Sequence, residues 1–153
     1  MDNPDSYIDF STLRLDFDEK MPLSYYWKTP SLVEVVGTKG SGKTALALRL
    51  GLDYAQLHPH QIIKIINCGG GITWNRLKCF LNYEYFDIFS VEDLQQMLIG
   101  MRNDKRAGLV ILDSVANLIL GAPTQRNGLG DWLSALRELG WSIIFTNLIQ
   151  GKL

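Results

Sequence analysis

A glycine-rich segment between two strongly patterned stretches constrains this chain more than any other feature. Residues 37–44 read Gly-Thr-Lys-Gly-Ser-Gly-Lys-Thr, which fits the pattern G-x-x-x-x-G-K-[ST]. The β-branched run at 32–36 predicts a strand before it, and the helix formers at 45–50 predict a helix after it. A strand, a glycine loop and a helix in this order predict a phosphate-binding loop.

The residue types of this loop match what a nucleoside triphosphate needs. Glycines let the backbone curl so that its N–H groups point inward, and a helix N-terminus adds partial positive charge. Lys43 is expected to reach the terminal phosphates and Thr44 to offer its hydroxyl to Mg²⁺. An ordinary glycine turn is the alternative, and the adjacent lysine and threonine disfavour it. The predicted nucleotide-binding residues are Gly37, Thr38, Lys39, Gly40, Ser41, Gly42, Lys43 and Thr44.

The composition is that of an ordinary globular protein. The chain has 153 residues, of which 46% are hydrophobic and 20% charged, so one domain with a substantial core is expected. A formal net charge of −1 gives no general attraction to nucleic acid or acidic membranes, and any DNA contact is expected to be local and shared with a partner. No stretch approaches the ~20 apolar residues of a membrane span. Cys68 and Cys79 are expected to be small buried hydrophobes.

Strand and helix patterns alternate from residue 32 onward, after an arm at 1–30. Predicted strands lie at 32–36, 61–66, 85–89, 108–112 and 141–146, and predicted helices at 43–57, 72–81, 91–102 and 128–139. This alternation predicts an α/β fold, with parallel strands and crossover helices on both faces of the sheet. Residues 31–153 are thus expected to form one core domain that binds its ligand at the carboxyl ends of the strands.

A second motif provides the carboxylate that a phosphate-loop site needs. The apolar run 109–112 ends in Asp113, and a carboxylate at the end of such a strand holds Mg²⁺, usually through water. Many buried strands also end in an aspartate that caps a helix. The alternating sheet context favours the metal role, with Thr44 and Asp113 as the expected metal-binding residues.

Beyond these motifs, the chain resembles the ATPase core of RecA-type recombinases, including the archaeal RadA proteins and their eukaryotic relatives. The similarity lies in four ordered blocks at 35–50, 66–77, 112–118 and 143–147. The second block aligns without gaps with the family segment I-D-T-E-G-T-F-R-P-E-R-L. The resemblance implies a three-layer, RecA-like P-loop NTPase core with a mainly parallel sheet, binding ATP and Mg²⁺. The family's N-terminal helical domain and later strands have no counterpart, so the core is expected to be truncated at its C-terminal side.

The chain departs from the family at the positions that serve hydrolysis. Gly69 stands where the family has the glutamate that polarises the attacking water, and Leu148 replaces the glutamine that senses the γ-phosphate. Asn67 replaces a family aspartate. Because neither glycine nor leucine can orient water, ATP binding is expected to survive while hydrolysis is slow or absent. Glu84 and Asp87 are alternative sources of a carboxylate, although a surface role is favoured for both.

Two further assignments follow from the resemblance. Arg76 matches the arginine that stacks on adenine in archaeal relatives, and a surface arginine is the equal alternative. The segment 120–128 matches the family's first DNA-facing loop, in which Gln125, Arg126 and Asn127 are the candidate phosphate contacts. A solvated polar loop is the alternative there.

Together these observations predict an accessory recombinase paralogue. It is expected to bind ATP and to assist homologous recombination and double-strand break repair in a hetero-oligomer with other paralogues. Single-stranded DNA would be touched through that complex, in the nucleus, or in the cytoplasm if the source is prokaryotic. One alternative is a small P-loop kinase, although the basic cluster of Arg102, Lys105 and Arg106 is no arginine-rich lid. Another is an interaction scaffold that binds no nucleotide.

Overall fold

The fold alternates strands and helices along the chain. The computed structural model describes residues 7–9, 30–69, 71–121 and 126–148. The strands are β1 (Tyr7–Asp9), β2 (Leu32–Gly37), β3 (Ile63–Asn67), β4 (Glu84–Asp87), β5 (Leu109–Asp113) and β6 (Ser142–Leu148). The helices are α1 (Lys43–Leu57), α2 (Trp74–Leu77), α3 (Val91–Met101), α4 (Val115–Gly121) and α5 (Arg126–Glu138).

The strands form one sheet in which every pairing is parallel. Their order is β1-β2-β6-β5-β3-β4, and the predicted α/β architecture with a parallel sheet is confirmed. β6 lies between β2, which leads into the glycine loop, and β5, which ends at Asp113. β1 lies within the predicted arm, and its Ile8 pairs with Val35. The other residues before residue 30 lie outside the described part of the chain.

Apolar residues cover both faces of the sheet, because adjacent residues of a strand point to opposite sides. Ile111 joins a core cluster with Leu48 and Leu50 of α1. Its neighbours Val110 and Leu112 join a second cluster, which also contains side chains of α3, α4 and α5. The sheet is therefore sandwiched between helices, and all five residues of β5 are buried.

The predicted elements and the observed ones differ in the second and fourth helical regions. α1 has its predicted bounds, but α2 is a single turn instead of a helix at 72–81. Cys79 and Phe80 are weak helix formers, and the buried ring of Phe80 packs near Gly51 of α1. α4 was not predicted. Of the expected loop at 120–128, residues 120–121 belong to α4 and residues 126–128 to α5, while residues 122–125 lie outside the described residues. The remaining bounds shift by at most two residues.

The amino ends of the strands carry a group of four charged side chains, which we call the amino-edge ion network: Lys64, Glu84, Asp104 and Arg106. The buried Lys64 Nζ lies 2.6 Å from Glu84 and 3.9 Å from Asp104. Arg106 lies 2.7 Å from Asp104 and 3.4 Å from Glu84. Each charge in this network therefore faces opposite charge within the protein.

The two cysteines occupy different environments. Cys68 is buried as expected, and burial raises the pKa of its thiol to about 12, with the Asp113 charge acting in the same direction. Cys79 is exposed, so the expectation that it is buried was wrong. It follows α2, where the chain has already left the helix. None of the described helices has the length and apolar character to span a membrane.

Candidate nucleotide site

The glycine loop joins the carboxyl end of β2 to the first residue of α1. Gly40 and Gly42 have φ angles of 78° and 95°, which L-residues with a side chain rarely adopt. The Ser41 N–H donates to the Thr38 carbonyl at 3.1 Å, so the backbone curls over the helix N-terminus. The eight predicted residues of the motif thus run from the last residue of β2 through the curled loop to the first two residues of α1, at the carboxyl edge of the sheet.

The loop has polar groups whose bonding capacity is not used by strong partners. Lys43 Nζ donates to the Thr38 carbonyl at 2.9 Å. Burial lowers the pKa of Lys43, and the negative charge of Asp113 opposes that shift. Among the described residues, the buried Ser41 Oγ has no hydrogen-bond partner, a state that native proteins largely avoid. A cation whose hydrogen bond goes to a neutral carbonyl, in the same loop as an unsatisfied hydroxyl, fits a loop that binds an anion.

Asp113 lies directly below this loop, at the end of β5, and is 2% exposed. Its Oδ2 accepts hydrogen bonds from Thr44 Oγ1 at 2.7 Å and from the Gly71 N–H at 3.2 Å. Its Oδ1 accepts one from Thr146 Oγ1 of β6 at 2.5 Å. The structure therefore brings together the two residues predicted to bind the metal, and two further elements orient the carboxylate.

The donor set at this position suits a magnesium–nucleotide complex. A carboxylate and a hydroxyl are hard oxygen ligands, and Mg²⁺ in such sites is held by one or two carboxylates with phosphate oxygens and waters completing its shell. Among the described residues no group of three His, Cys, Asp or Glu side chains forms a self-sufficient metal cage. Thr44 and Asp113 would hold the ion together with phosphate oxygens and waters.

The segment after β3 contains Gly69 and Gly71, and Gly71 donates its N–H to the carboxylate of Asp113. Gly69 has a φ angle of 87°, and a Cβ atom built on it would lie 2.8 Å from Asn117 Nδ2. Asn117, on α4, donates to the Cys68 carbonyl at 3.2 Å and the Gly69 carbonyl at 3.0 Å. A side chain at position 69 would therefore meet an unfavourable backbone conformation and would displace the amide of Asn117, whose side chain is exposed.

The two alternative carboxylates lie at opposite ends of β4. Glu84 is paired with Lys64 in the amino-edge ion network and is remote from the loop. Asp87 lies at the carboxyl end and accepts hydrogen bonds from Tyr85 Oη at 2.7 Å and Asn67 Nδ2 at 3.1 Å. The register pairs Asn67 with both Asp113 and Asp87. Two strand spacings, about 10 Å, therefore separate the backbones of Asp87 and Asp113.

Arg76 lies beside the loop, at the mouth of a cavity between α1 and α2. Its Nη1 donates to the Gly71 carbonyl at 3.3 Å. The cavity measures ≈ 470 Å³ and is lined by Ala45, Leu48, Arg49, Leu52, Asp53, Gln56 and Arg76. Burial raises the pKa of the Asp53 carboxyl, and the Arg49 charge opposes this. Ala45, at one end of this cavity, directly follows Thr44 in the chain, and the cavity has the size of a small-molecule pocket.

The predicted DNA contacts are not among the described side chains. Gln125 lies outside the described residues, and Arg126 and Asn127 begin α5 while their side chains lie outside the described part. Leu148 ends β6 and pairs in register with Gly37, so its backbone is next to the loop. The DNA assignment remains a prediction.

Three contributors to the site were missed in the sequence: Thr146, Asn117 and the backbone of Gly71. Thr146 was part of a recognised block, and a polar residue in an apolar central strand is a usable signal. Asn117 also lies in a recognised block, at 112–118, but its role was not predicted because its hydrogen-bond partners belong to a different segment.

Searches of protein-family models and of curated proteins found no match to this chain.

Proposed function

We propose that this chain is a RecA-like P-loop core that binds Mg-ATP and hydrolyses it slowly or not at all. The observation that carries the proposal is the 2.7 Å hydrogen bond between Thr44 and Asp113 beneath a curled glycine loop. This places a hydroxyl, a carboxylate and Lys43 around one point at the carboxyl edge of a parallel sheet, where ligands of such sheets bind. The cavity beside Arg76 supplies space for a base next to the phosphates.

The surroundings of the loop support retention of the nucleotide more than its consumption. Position 69, next to Asp113, has no side chain that could orient water, and the amide of Asn117 fills the adjacent space. Asp87 is about two strand spacings away, roughly 10 Å, and already accepts two hydrogen bonds. A water-activating group contributes about 10²–10⁴-fold in rate, so its loss accounts for slow turnover.

The biological part of the proposal rests on the four-block resemblance to the recombinases. A protein that binds ATP without hydrolysing it gains stability by mass action. It can also have a surface whose conformation depends on bound nucleotide and which a partner can bind. We therefore assign it the role of an accessory paralogue in homologous recombination and double-strand break repair. It would act in the nucleus, in a hetero-oligomer that contacts single-stranded DNA.

The kinase alternative gains no support from the arrangement of basic residues. Its candidate cluster lies just before β5, at the amino edge of the sheet, where Arg106 is paired with Asp104 and Glu84. A phosphoryl acceptor beside the phosphate loop would be on the opposite side of the sheet. Transfer of phosphate to any of a panel of small acceptors would nevertheless favour the kinase.

Binding and turnover of Mg-ATP test the nucleotide part directly. Calorimetry and a phosphate-release assay on the wild type and Lys43→Ala, each with and without single-stranded DNA, form the experiment. We expect binding by the wild type, loss of binding in the variant, and no DNA-stimulated hydrolysis. DNA-stimulated hydrolysis would contradict the proposal that ATP is bound and hydrolysed slowly or not at all. Absence of ATP binding would favour the interaction scaffold that binds no nucleotide.

The partner assignment needs a separate experiment. Purified protein is passed over immobilised recombinase relatives with Mg-ATP, with Mg-ADP and without nucleotide. Retention that depends on ATP and is lost in Lys43→Ala supports the paralogue role. A monomer that ignores all relatives under every condition would remove the recombination assignment and leave nucleotide binding intact.

A further inference from the structure

We propose that Asn117 is a positioning residue of the nucleotide site. Its carboxamide fills the space in front of Gly69 and fixes the segment after β3, so that the Gly71 N–H stays aligned on Asp113. The inference rests on the proposed function, because the alignment matters at a magnesium–phosphate centre. Asn117 would thereby tune how strongly Mg²⁺ improves nucleotide binding.

The first support is the fit between the amide of Asn117 and the backbone of the segment after β3. Nδ2 carries two hydrogens, and two carbonyl oxygens, those of Cys68 and Gly69, lie 3.2 and 3.0 Å from it. Both donors therefore have an acceptor. The same nitrogen lies 2.8 Å from where a Cβ of residue 69 would be, so side chains at 69 and 117 compete for one volume.

The second support is the anchoring of the helix that carries Asn117. Val115 and Leu118 of α4 are 1% and 3% exposed and belong to the core cluster on the α3 and α5 side of the sheet. Asn117 therefore lies on a helix whose residues before and after it are packed into the core. The segment after β3 is attached to this rigid base, which is what a positioning role requires.

The third support is the connection from that segment to the metal position. Gly71, two residues beyond Gly69, donates its N–H to Asp113 Oδ2 at 3.2 Å, and the same oxygen accepts from Thr44 at 2.7 Å. A Cβ on Gly71 would lie 3.4 Å from Thr44 Oγ1, so the backbone passes close to the metal-binding hydroxyl. The groups that orient a metal-binding carboxylate commonly change metal affinity by about 10–100-fold.

The principal experiment measures ATP affinity with Mg²⁺ and with EDTA for the wild type, Asn117→Ala and Asn117→Asp. In both variants we expect the factor by which Mg²⁺ improves ATP affinity to fall about 10-fold. Their ATP affinity without metal should stay unchanged, because it depends on the glycine loop. Asp should be at least as harmful as Ala, because its oxygens would face two carbonyls. Asn103→Ala, an exposed asparagine after α3, is the matched control.

The readout separates positioning from a general structural role. A purely structural loss would lower metal-free and Mg²⁺-dependent affinity together and would overturn the inference. An unchanged Mg²⁺ gain in both variants would also overturn it while leaving the proposed function standing. Failure of the wild type to bind ATP under any condition would instead overturn the proposed function, and the inference with it.

A double-mutant cycle tests the shared volume without using nucleotide. Gly69→Ala is made in the wild type and in Asn117→Ala, and the melting temperature Tm is measured for all four proteins. Since the contact with Nδ2 is absent in the second background, we expect Gly69→Ala to lower Tm by about 2 °C less there. Strictly additive shifts would contradict the proposed competition for space.

Hydrolysis by Gly69→Glu provides the chemical counterpart. With Asn117 in place its amide, 2.8 Å from the position of a Cβ at residue 69, must move to admit the new carboxylate, so we expect the larger rise in turnover, by at least about 10-fold, in Gly69→Glu combined with Asn117→Ala. An equal rise in Gly69→Glu alone would overturn the inference. So would a double variant that binds Mg-ATP like the wild type and turns over no faster than Gly69→Glu.

Discussion

The charged residues at the amino edge of the sheet have charged partners, whereas those at the carboxyl edge have neutral hydrogen-bond partners. At the amino edge Lys64 and Arg106 face the carboxylates Glu84 and Asp104 at 2.6 to 3.9 Å. At the carboxyl edge Lys43 donates to a neutral carbonyl. The hydrogen bonds to Asp113 there come from hydroxyl and amide donors, which are neutral.

Under the proposed function, this difference separates charges that stabilise the fold from charges that bind a ligand. Charges paired with each other at the amino edge offset their own desolvation, whereas those at the carboxyl edge leave electrostatic capacity for something outside the protein. Substitutions at the amino edge should therefore change stability and leave binding alone. Substitutions at the carboxyl edge should do the reverse.

The largest effect is expected for Lys43→Ala at the carboxyl edge. Removing a charged hydrogen-bond donor to phosphate should weaken ATP binding by about 3 kcal/mol, or roughly 100-fold. The free energy of unfolding without nucleotide should change by less than about 0.5 kcal/mol. Calorimetry and urea unfolding measure the two quantities. The control is Lys105→Ala, an exposed lysine outside the loop, and an equal loss of binding there would mean that Lys43 acts only through general charge.

At the amino edge, Lys64→Met should lower the free energy of unfolding by about 2 kcal/mol. The side chain of Lys64 is 9% exposed, and its loss leaves two carboxylates without their buried partner. Because Glu84 is 36% exposed, water compensates part of the loss, and the effect stays below that of a fully buried pair. Urea unfolding measures it, with the exposed Lys78→Met as control. Weakened ATP binding in Lys64→Met would break the separation of the two edges.

A smaller effect at the carboxyl edge is expected for Arg76→Ala. Loss of a guanidinium over the base should reduce ATP affinity by about 1 kcal/mol, or roughly 5-fold. Arg76→Lys should be intermediate, since an ammonium stacks less well than a planar group. Inorganic tripolyphosphate should bind equally to all three proteins, because it has no base. Weaker tripolyphosphate binding would assign Arg76 to the phosphates instead.

The smallest expected effect is the pH dependence of the amino edge. Hydrogen bonding to Lys64 lowers the pKa of Glu84, and hydrogen bonding to Arg106 lowers that of Asp104 to about 2. Carboxyls with a depressed folded-state pKa stabilise the fold above their unfolded pKa, and this stabilisation is lost as pH falls toward the folded value. Unfolding free energies between about pH 5 and pH 2 should therefore fall less steeply in Lys64→Met than in the wild type. Parallel curves would show that Lys64 does not hold these carboxylates in their charged form.

Local sequence patterns predicted the features of this molecule that depend on neighbouring residues. The bounds of α1 and the parallel sheet followed from periodicity and loop chemistry, and the meeting of Thr44 with Asp113 followed from the rule that strand ends share one edge. The contact of Asn117 with Gly69 was not predicted, since 48 positions separate the two residues. The end of α2 depends on Phe80 packing against α1, and the place of Glu84 depends on the register of β4 with β3.

The central position of β6 fixes the order in which this site can be made. The glycine loop and Asp113 belong to strands that touch only through β6, and the Ser31–Ser142 hydrogen bond beside that junction spans 111 positions. During synthesis β2 and α1 therefore emerge long before the strand that joins them to β5. Contacts of such long range form slowly. In a nascent chain the glycine loop would therefore form before the sheet is complete. Under the proposed function, the nucleotide site would be complete after residues 142–148 have inserted between β2 and β5.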